Sequence, residues 1–231
     1  MRRKCDMNQI NRKKLTLIFT CLLTIGFTIT LTVFVDRGGQ FPFDLWSAES
    51  LYEVGGNTWI HSIFIYITKL VSRTVIIVLS LLIVSFLLMK RDWLAAIMMS
   101  LGVYFGNELN EVIKGIVKRH RPSSLESLHE AGYSFPSGHA MVAVIFYSLA
   151  AYFLARYFKS NVIRQYLFFS AYIIVLLIGI SRYILSAHYL TDVIGGFLFG
   201  ILFVNVWIVL HRVVSNFSFL SPPRDRDKNI L

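Results

Sequence analysis

His188 and Asp192 form the pair of side chains in this sequence best placed to do chemistry. They are four positions apart, so at the start of a helix they share one face. The Asp192 carboxylate can accept the proton on one imidazole nitrogen, which fixes the tautomer and leaves the other nitrogen free to attack. A helix-end histidine beside a capping aspartate would have the same spacing. The pair therefore indicates a nucleophile without proving one.

A second cluster, Pro136 to His139, opens an apolar run and contains Ser137 and Gly138. A serine before a helix is a natural N-cap, and a helix start presents free N–H groups and partial positive charge that favour a phosphate. His139 at this position can protonate a leaving oxygen. A Ser-Gly turn before a helix is also common as a purely structural feature, so this cluster alone leaves both interpretations open.

Three cationic side chains, Lys114, Arg121 and Arg182, lie at the ends of neighbouring apolar runs. Lysine offers a point charge to a phosphoryl oxygen, whereas arginine offers a planar fork. Snorkelling at a membrane interface is the structural alternative. Because polar clusters in apolar segments are costly, they indicate a functional site. Together these residue types indicate phosphoryl transfer through a histidine.

The composition is that of a polytopic membrane protein. Of 231 residues, 55% are hydrophobic and only 16% charged, mean hydropathy is +0.61, and the apolar residues form runs. The net charge of +10 comes from basic residues that flank these runs, and no nucleic-acid module is recognisable, so nucleic acid is not an expected partner. Cys5 and Cys21 have no metal-ligand spacing, and a disulfide framework is not expected.

The runs predict an all-α fold, an integral-membrane bundle of six transmembrane helices. A shorter apolar segment, Trp59 to Val71, is expected to form an interfacial helix after the first span. We expect a basic cytoplasmic N-terminus (residues 1–14), one six-span domain (15–212) and a disordered cytoplasmic tail (213–231). Gly196 and Gly200 have the spacing of close helix packing. The predicted spans are Leu15–Val35, Thr74–Met89, Trp93–Val117, His139–Tyr157, Tyr166–Tyr183 and Leu190–Leu210.

Flanking charge orients this bundle. With six spans and both termini inside, fifteen of the 23 basic residues lie on the inner face and eight on the outer face. Five of those eight belong to the polar clusters or adjoin them, which leaves three and a clear positive-inside bias. The same topology brings all three clusters to the outer face of the cell membrane.

The ordered combination of clusters resembles the signature of the type 2 phosphatidic acid phosphatase and vanadium haloperoxidase superfamily. The chain has Lys, six residues, Arg-Pro; then Pro-Ser-Gly-His; then Ser-Arg, five residues, His, three residues, Asp. The match extends from Lys114 to Asp192 without a departure, and the span pattern resembles the family's bacterial membrane lipid phosphatases.

The resemblance implies a role for each matched residue. His188 would become a phosphohistidine, Asp192 would orient it, and His139 would protonate the leaving group and then activate water. The phosphoryl oxygens would be held by Lys114, Arg121, Ser137, Gly138 and Arg182.

We therefore expect a membrane lipid phosphatase, independent of metals and other cofactors, that acts on undecaprenyl diphosphate, phosphatidylglycerophosphate or phosphatidate at the outer face. Phe105, Phe135 and Tyr183 are candidates for lining the lipid's entry. His120 is a candidate to border the site, and the pair Glu108 and Glu111 has no assigned role.

Three other functions fit less well. A haloperoxidase shares the signature but has a soluble architecture. A transporter would place its charges near the midplane and show an inverted repeat. A metal-dependent hydrolase built on His139, His188 and Asp192 would need further carboxylates at ligand spacing.

Overall fold

The computed structural model of the chain describes residues 21–39, 41–44, 58–122 and 132–217, and within these ranges the regular structure is entirely helical. The predicted all-α class is confirmed for these residues. A short 3₁₀ turn, Lys69–Val71, connects the second and third helices. The helices are α1 (Cys21–Asp36), α2 (Thr58–Thr68), α3 (Arg73–Met89), α4 (Trp93–Val117), α5 (Gly138–Ala155), α6 (Asn161–Ile184) and α7 (Leu190–Phe217).

Four of the helices begin at a polar residue whose side chain caps the first turn. The first N–H groups of a helix have no partner within it, and a serine or aspartate oxygen supplies one. Each cap accepts the backbone N–H three residues later, at 3.3 to 3.5 Å. The predicted N-cap at Ser137 is confirmed. The capping residues are Ser72 for α3, Asp92 for α4, Ser137 for α5 and Ser160 for α6.

The centre of the bundle is α5, which packs against α4, α6 and α7. It is the most enclosed of the long apolar helices, with 67% of its most apolar stretch buried against 33% for α6 and 28% for α7. Close approach to α7 depends on two glycines. A Cβ added to Gly196 would lie 2.6 Å from the Ser137 carbonyl oxygen, and one added to Gly200 would lie 2.7 Å from Val144 Cβ. The packing predicted from the glycine spacing is thereby confirmed.

The described residues support three to four membrane spans, so the predicted number of six is not confirmed. By length and hydropathy α5, α6 and α7 can each cross a bilayer, and α2 with α3 forms a bent pair that qualifies only as one unit. Helix α4 coincides with its predicted span, but polar residues from Asn107 onward interrupt its apolar character. The described part of α1 is short, because the residues before Cys21 lie outside the described ranges.

The segment predicted as an interfacial helix is helical and joins α3 through a bend of 45°. Such a bend leaves α2 and α3 running in the same general direction, as a broken span or a re-entrant segment. The segment therefore adds no antiparallel crossing, which agrees with the predicted order of the later helices. Its interfacial location stays a prediction.

Helix α7 is described as far as Phe217, beyond the predicted domain boundary at residue 212. Val213 and Val214 continue its apolar character, so the helical pattern does not stop at the boundary. The predicted N-terminal segment (1–14) and residues 218–231 of the predicted tail lie outside the described residues.

A buried polar network joins α4, α5 and α7 at the end opposite the three clusters. Asp92, only 1% exposed, forms an ion pair with Arg156 at 3.1 Å and accepts a hydrogen bond from the Tyr157 hydroxyl at 2.7 Å. His211, also 1% exposed, lies 3.1 Å from the Tyr152 hydroxyl through Nδ1. These paired groups offset the cost of burying charge.

Candidate active site

The ends of α4 and α6 and the starts of α5 and α7 meet at one end of the bundle. The Ser137 N–H donates to the backbone oxygen of Asp192 at 2.9 Å, which joins the first turns of α5 and α7. Arg121, just after α4, places Nη1 3.1 Å from His188 Nε2. The predicted convergence of the three polar clusters is therefore confirmed.

His188 and Asp192 are connected through a serine. His188 is 2% exposed and precedes α7, while Asp192 lies fully buried in its first turn. The His188 Nδ1 to Asp192 Oδ2 distance of 3.7 Å is too long for a direct hydrogen bond. The Ser134 hydroxyl lies 3.4 Å from Nδ1 and donates a hydrogen bond to Oδ2. Ser134 thus bridges the two groups, a contact that sequence analysis did not identify.

The contact between Arg121 and His188 defines the tautomer of the imidazole. An arginine guanidinium has donors only, so the Nε2 atom facing it must be the acceptor. In the neutral ring the proton is then on Nδ1, which faces Ser134 and Asp192. The Nε2 lone pair therefore points into a cationic environment, as a nucleophile for a phosphate requires.

Burial lowers the pKa of His188 below its usual value of about 6.5. Asp192 opposes this effect, whereas the charges of Arg182 and Arg121 act in the same direction as burial. The neutral, nucleophilic form of His188 is consequently favoured at neutral pH.

Asp192 is held by donors on both of its oxygens. The backbone N–H of Tyr189 donates to Oδ2 at 2.9 Å, and Arg119 Nη1 donates to Oδ1 at 2.6 Å. The second nitrogen of Arg119 contacts Asp44 Oδ2 at 3.1 Å. Sequence analysis gave no role to Arg119 or Asp44. The two are 75 positions apart, and no motif connects them.

Lys114 and Gly138 lie side by side where α4 ends and α5 begins. A Cβ built on Gly138 would stand 3.5 Å from Lys114 Nζ and 3.0 Å from Asn110 Oδ1, so the missing side chain leaves room beside the ammonium group. Lys114 also forms an ion pair with Glu111 at 2.9 Å. Glu111, which had no assigned role, therefore occupies one side of a predicted phosphate ligand.

Arg182 and His139 complete the predicted set. Arg182 is 4% exposed, and its Nη1 donates to Thr68 Oγ1 at 3.2 Å. It lies in the last turn of α6, at the end of the bundle that leads to His188. His139 is the second residue of α5 and is half-buried. The structure thus gathers every predicted site residue at one end of the bundle, while their individual roles stay predictions.

His120 is exposed and lines a cavity of about 240 Å³. The same cavity is lined by Arg119 and Tyr189, which adjoin Asp192. His120 is therefore close to the periphery of the site, and no contact in the described structure gives it a chemical role.

The predicted lipid-entry residues differ in their surroundings. The prediction for Phe135 is wrong, because its side chain is fully buried and packs edge-on against Phe199 at 6.4 Å. Phe105 is 45% exposed, and Tyr183 stacks on Phe43 with ring centroids 6.5 Å apart. An aromatic residue beside a motif can be core, and sequence alone does not separate the two cases.

Within the described residues, no group of three or more His, Cys, Asp or Glu side chains is arranged to hold a metal ion. The metal-dependent alternative needs such a group, so the described part of the site offers it no support. Metal independence itself stays a prediction for experiment.

Three comparisons with known proteins each found a match to this chain. Residues 13–215 match the model of the PAP2 superfamily. Phosphatidylglycerophosphatase B of Bacillus subtilis (strain 168) is 33% identical over 126 residues, which cover 52% of this chain and 60% of that protein. The crystal structure of a transmembrane PAP2 type phosphatidylglycerolphosphate phosphatase from Bacillus subtilis superposes with a TM-score of 0.74 at 26% identity. That superposition covers 86% of this chain and 98% of the other.

Proposed function

The chain belongs to the PAP2 superfamily, and we propose that it is a membrane lipid phosphatase whose substrate is phosphatidylglycerophosphate. Both relatives described above carry this activity in their names. Phosphatidate and undecaprenyl diphosphate are the competing substrates. All three present a phosphoryl group at headgroup depth on a chain that stays in the bilayer.

The observation that carries the proposal is the state of His188. Its Nε2 lone pair faces Arg121, and burial lowers its pKa, so a neutral nucleophile is available beside cations. A phosphate monoester is an anion that such a pocket attracts. On binding, the phosphoryl oxygens would take over the hydrogen bonds of Arg121, which releases the lone pair for attack.

The reaction then has two steps. His188 Nε2 forms a bond to phosphorus as the bond to the lipid oxygen breaks, and His139 donates a proton to that oxygen. His139 next removes a proton from water, which attacks phosphorus and releases inorganic phosphate and free His188. Lys114, Arg121 and Arg182 with the N–H groups at the start of α5 stabilise oxygen charge in both steps. Asp192 stabilises the positive ring that forms while phosphorus is attached.

The site is proposed to face the outer leaflet, with both termini in the cytoplasm. The support is the predicted topology, in which fifteen of the 23 basic residues lie on the inner face. In this orientation the phosphate reaches the site from the headgroup region. Apolar chains then contribute binding energy that positions the reacting group.

The test is phosphate release by the detergent-purified full-length protein in mixed micelles. The panel contains phosphatidylglycerophosphate, phosphatidate, undecaprenyl diphosphate and soluble glycerol 3-phosphate, each with and without chelator. We expect the highest kcat/KM for phosphatidylglycerophosphate, little effect of chelator, and inhibition by vanadate. Another lipid at the top of the series would reassign the substrate, and equal efficiency for glycerol 3-phosphate would refute a lipid phosphatase.

His188→Ala provides the control for mechanism. Brief exposure of the wild type to substrate labelled in its phosphate should leave acid-labile, base-stable label on the protein. The variant should retain neither label nor turnover. Turnover at the wild-type rate in this variant would exclude the phosphohistidine route.

A further inference from the structure

We propose that Asp44 and Arg119 are positioning residues that hold Asp192 for the reaction at His188. This inference rests on the proposed function. Neither residue is a position of the motifs between Lys114 and Asp192, and both would act on His188 through Asp192.

The geometry is a two-ended bridge. Arg119 Nη1 donates to Asp192 Oδ1 at 2.6 Å, and Nη2 contacts Asp44 Oδ2 at 3.1 Å. All three side chains are buried, with exposed fractions of 7%, 0% and 1% for Arg119, Asp192 and Asp44. Because these groups are shielded from water, the bridge is screened far less than a surface ion pair.

Thr191 closes the bridge into a ring of contacts. Its N–H donates to Asp44 Oδ1 at 3.2 Å and its hydroxyl donates to Asp44 Oδ2 at 2.7 Å. The same hydroxyl accepts from Arg119 Nη1 at 2.6 Å. Every polar atom of the Asp44 carboxylate is thus used, and Asp44 contacts both Arg119 and the residue preceding Asp192. The Tyr189 ring, 4.2 Å from the guanidinium carbon, covers Arg119.

The two carboxylate oxygens of Asp192 have different partners. Arg119 occupies Oδ1, whereas Oδ2 receives Ser134 and faces His188. A buried carboxylate without a cation would be costly, and Arg119 offsets that cost. A cation paired with Asp192 alone would weaken its pull on the imidazole proton. Asp44 shares the guanidinium and so preserves negative charge on the side facing His188.

The charged groups around His188 define what each variant should do to its pKa. Arg182 of α6 and Arg121 after α4 lower it, and Asp192 of α7 raises it. Further titratable groups at this end of the bundle include Glu111, Lys114 and Lys118 at the end of α4, His120 after it, His139 at the start of α5 and Tyr183 at the end of α6. Substitutions of Asp44 or Arg119 leave all of these side chains in place.

The experiment measures kcat, KM and the acid limb of the pH profile for Asp44→Asn, Arg119→Gln and Arg119→Lys on the lipid substrate. Removing the negative charge of Asp44 leaves the positive charge of Arg119 less compensated, which lowers the pKa of His188. The acid limb should therefore move to lower pH. Removing the Arg119 charge should move it to higher pH, each by roughly half a unit. Arg119→Lys keeps the charge but loses the fork, so it should keep the wild-type limb. All three should lower kcat by about 10–100-fold with KM within about twofold of wild type, as for lost outer-shell partners.

Asp92→Asn is the matched control. Asp92 is as buried as Asp44 and also pairs with an arginine at 3.1 Å, but at the opposite end of the bundle. It should lower the melting temperature and leave kcat and the acid limb of the folded fraction unchanged. Thr191→Val, which removes only the hydroxyl of the ring, should lower kcat about 2–10-fold without moving the limb. This variant carries the test if a charge variant does not fold.

The outcomes separate this inference from the proposed function. A wild-type protein that releases phosphate from no lipid refutes the proposed function. An active wild type with unchanged kcat in folded Asp44→Asn and Thr191→Val refutes the positioning role. Limb shifts of the same sign in Asp44→Asn and Arg119→Gln would also overturn it, because a merely structural role predicts no opposed shifts.

Discussion

Ser134→Ala tests the bridged arrangement of His188 and Asp192 most directly. The serine hydroxyl donates to Asp192 Oδ2 and lies 3.4 Å from His188 Nδ1, and the direct distance from Nδ1 to Oδ2 is 3.7 Å. Without the hydroxyl, the Nδ1 proton loses its acceptor at Ser134, and the nearest oxygen of Asp192 is 3.7 Å away. The substitution should therefore lower the rate of the chemical step and leave substrate binding intact.

The size of the effect follows from the bond that is lost. A hydrogen bond to a charged group contributes about 1.5–3 kcal/mol, and each 1.36 kcal/mol is roughly a factor of ten in rate. Complete loss would lower kcat by about 10–150-fold. Oδ2 is also held by the Tyr189 N–H at 2.9 Å, which limits how far it can close the gap. A small recovery leaves an expected loss of about 10–100-fold in kcat, with KM within about twofold.

The assay is steady-state phosphate release in mixed micelles at fixed surface concentration of lipid, with melting temperatures measured in parallel. Ser134→Cys should lose about as much activity as the alanine variant, because a thiol keeps the volume but is a weak donor. Ser80→Ala is the control, since its hydroxyl is also buried and has no hydrogen-bond partner among the described residues. Activity within threefold of wild type in folded Ser134→Ala would refute the bridge.

Three further predictions concern pH, affinity and orientation. Because burial lowers the pKa of His188 in the folded protein, the acid limb of kcat/KM should lie below about pH 6.5. The stability that neutral His188 provides should be present above the pKa of the unfolded state and should be lost as pH falls through the lower pKa of the folded state. An acid limb above pH 6.5 would contradict this prediction. So would melting temperatures that depend on acid pH in the same way in wild type and His188→Gln. Glu111→Gln removes the carboxylate paired with Lys114 and should lower KM and strengthen phosphate inhibition by about 2–5-fold. Unchanged inhibition would mean that Glu111 does not compete with phosphate. In a background without Cys5 and Cys21, a cysteine at Ser127 should react with an impermeant thiol reagent in intact cells and one at Lys159 only after lysis, and the reverse pattern would invert the proposed orientation.

The sequence predicted those features that local rules determine. Helix α4 has its predicted bounds, because its N-cap Asp92 and its apolar run are both visible in the chain. Convergence of the three clusters followed from flanking charge, which alternates with each crossing. The number of spans was harder to predict, because polar residues near the site lower the hydropathy of α4.

The sequence could not predict contacts whose partners share no spacing. Asp44 and Arg119 meet only because the chain after α1 returns to the end of α4, which no periodicity encodes. Ser134 lies just before the predicted Pro136 to His139 cluster, yet its target is set by the α5–α7 packing. Phe135 was misassigned for the same reason, since only that packing shows that its ring fills space beside Gly195.

The hydrogen bond from Ser137 to Asp192 and the close contact at Gly196 fix how α7 is rotated relative to α5. An α-helix turns by about 100° per residue, so one residue inserted between Asp192 and Gly196 would send either the carboxylate or the glycine to the wrong side. In homologues, the length of this short interval should therefore be invariant.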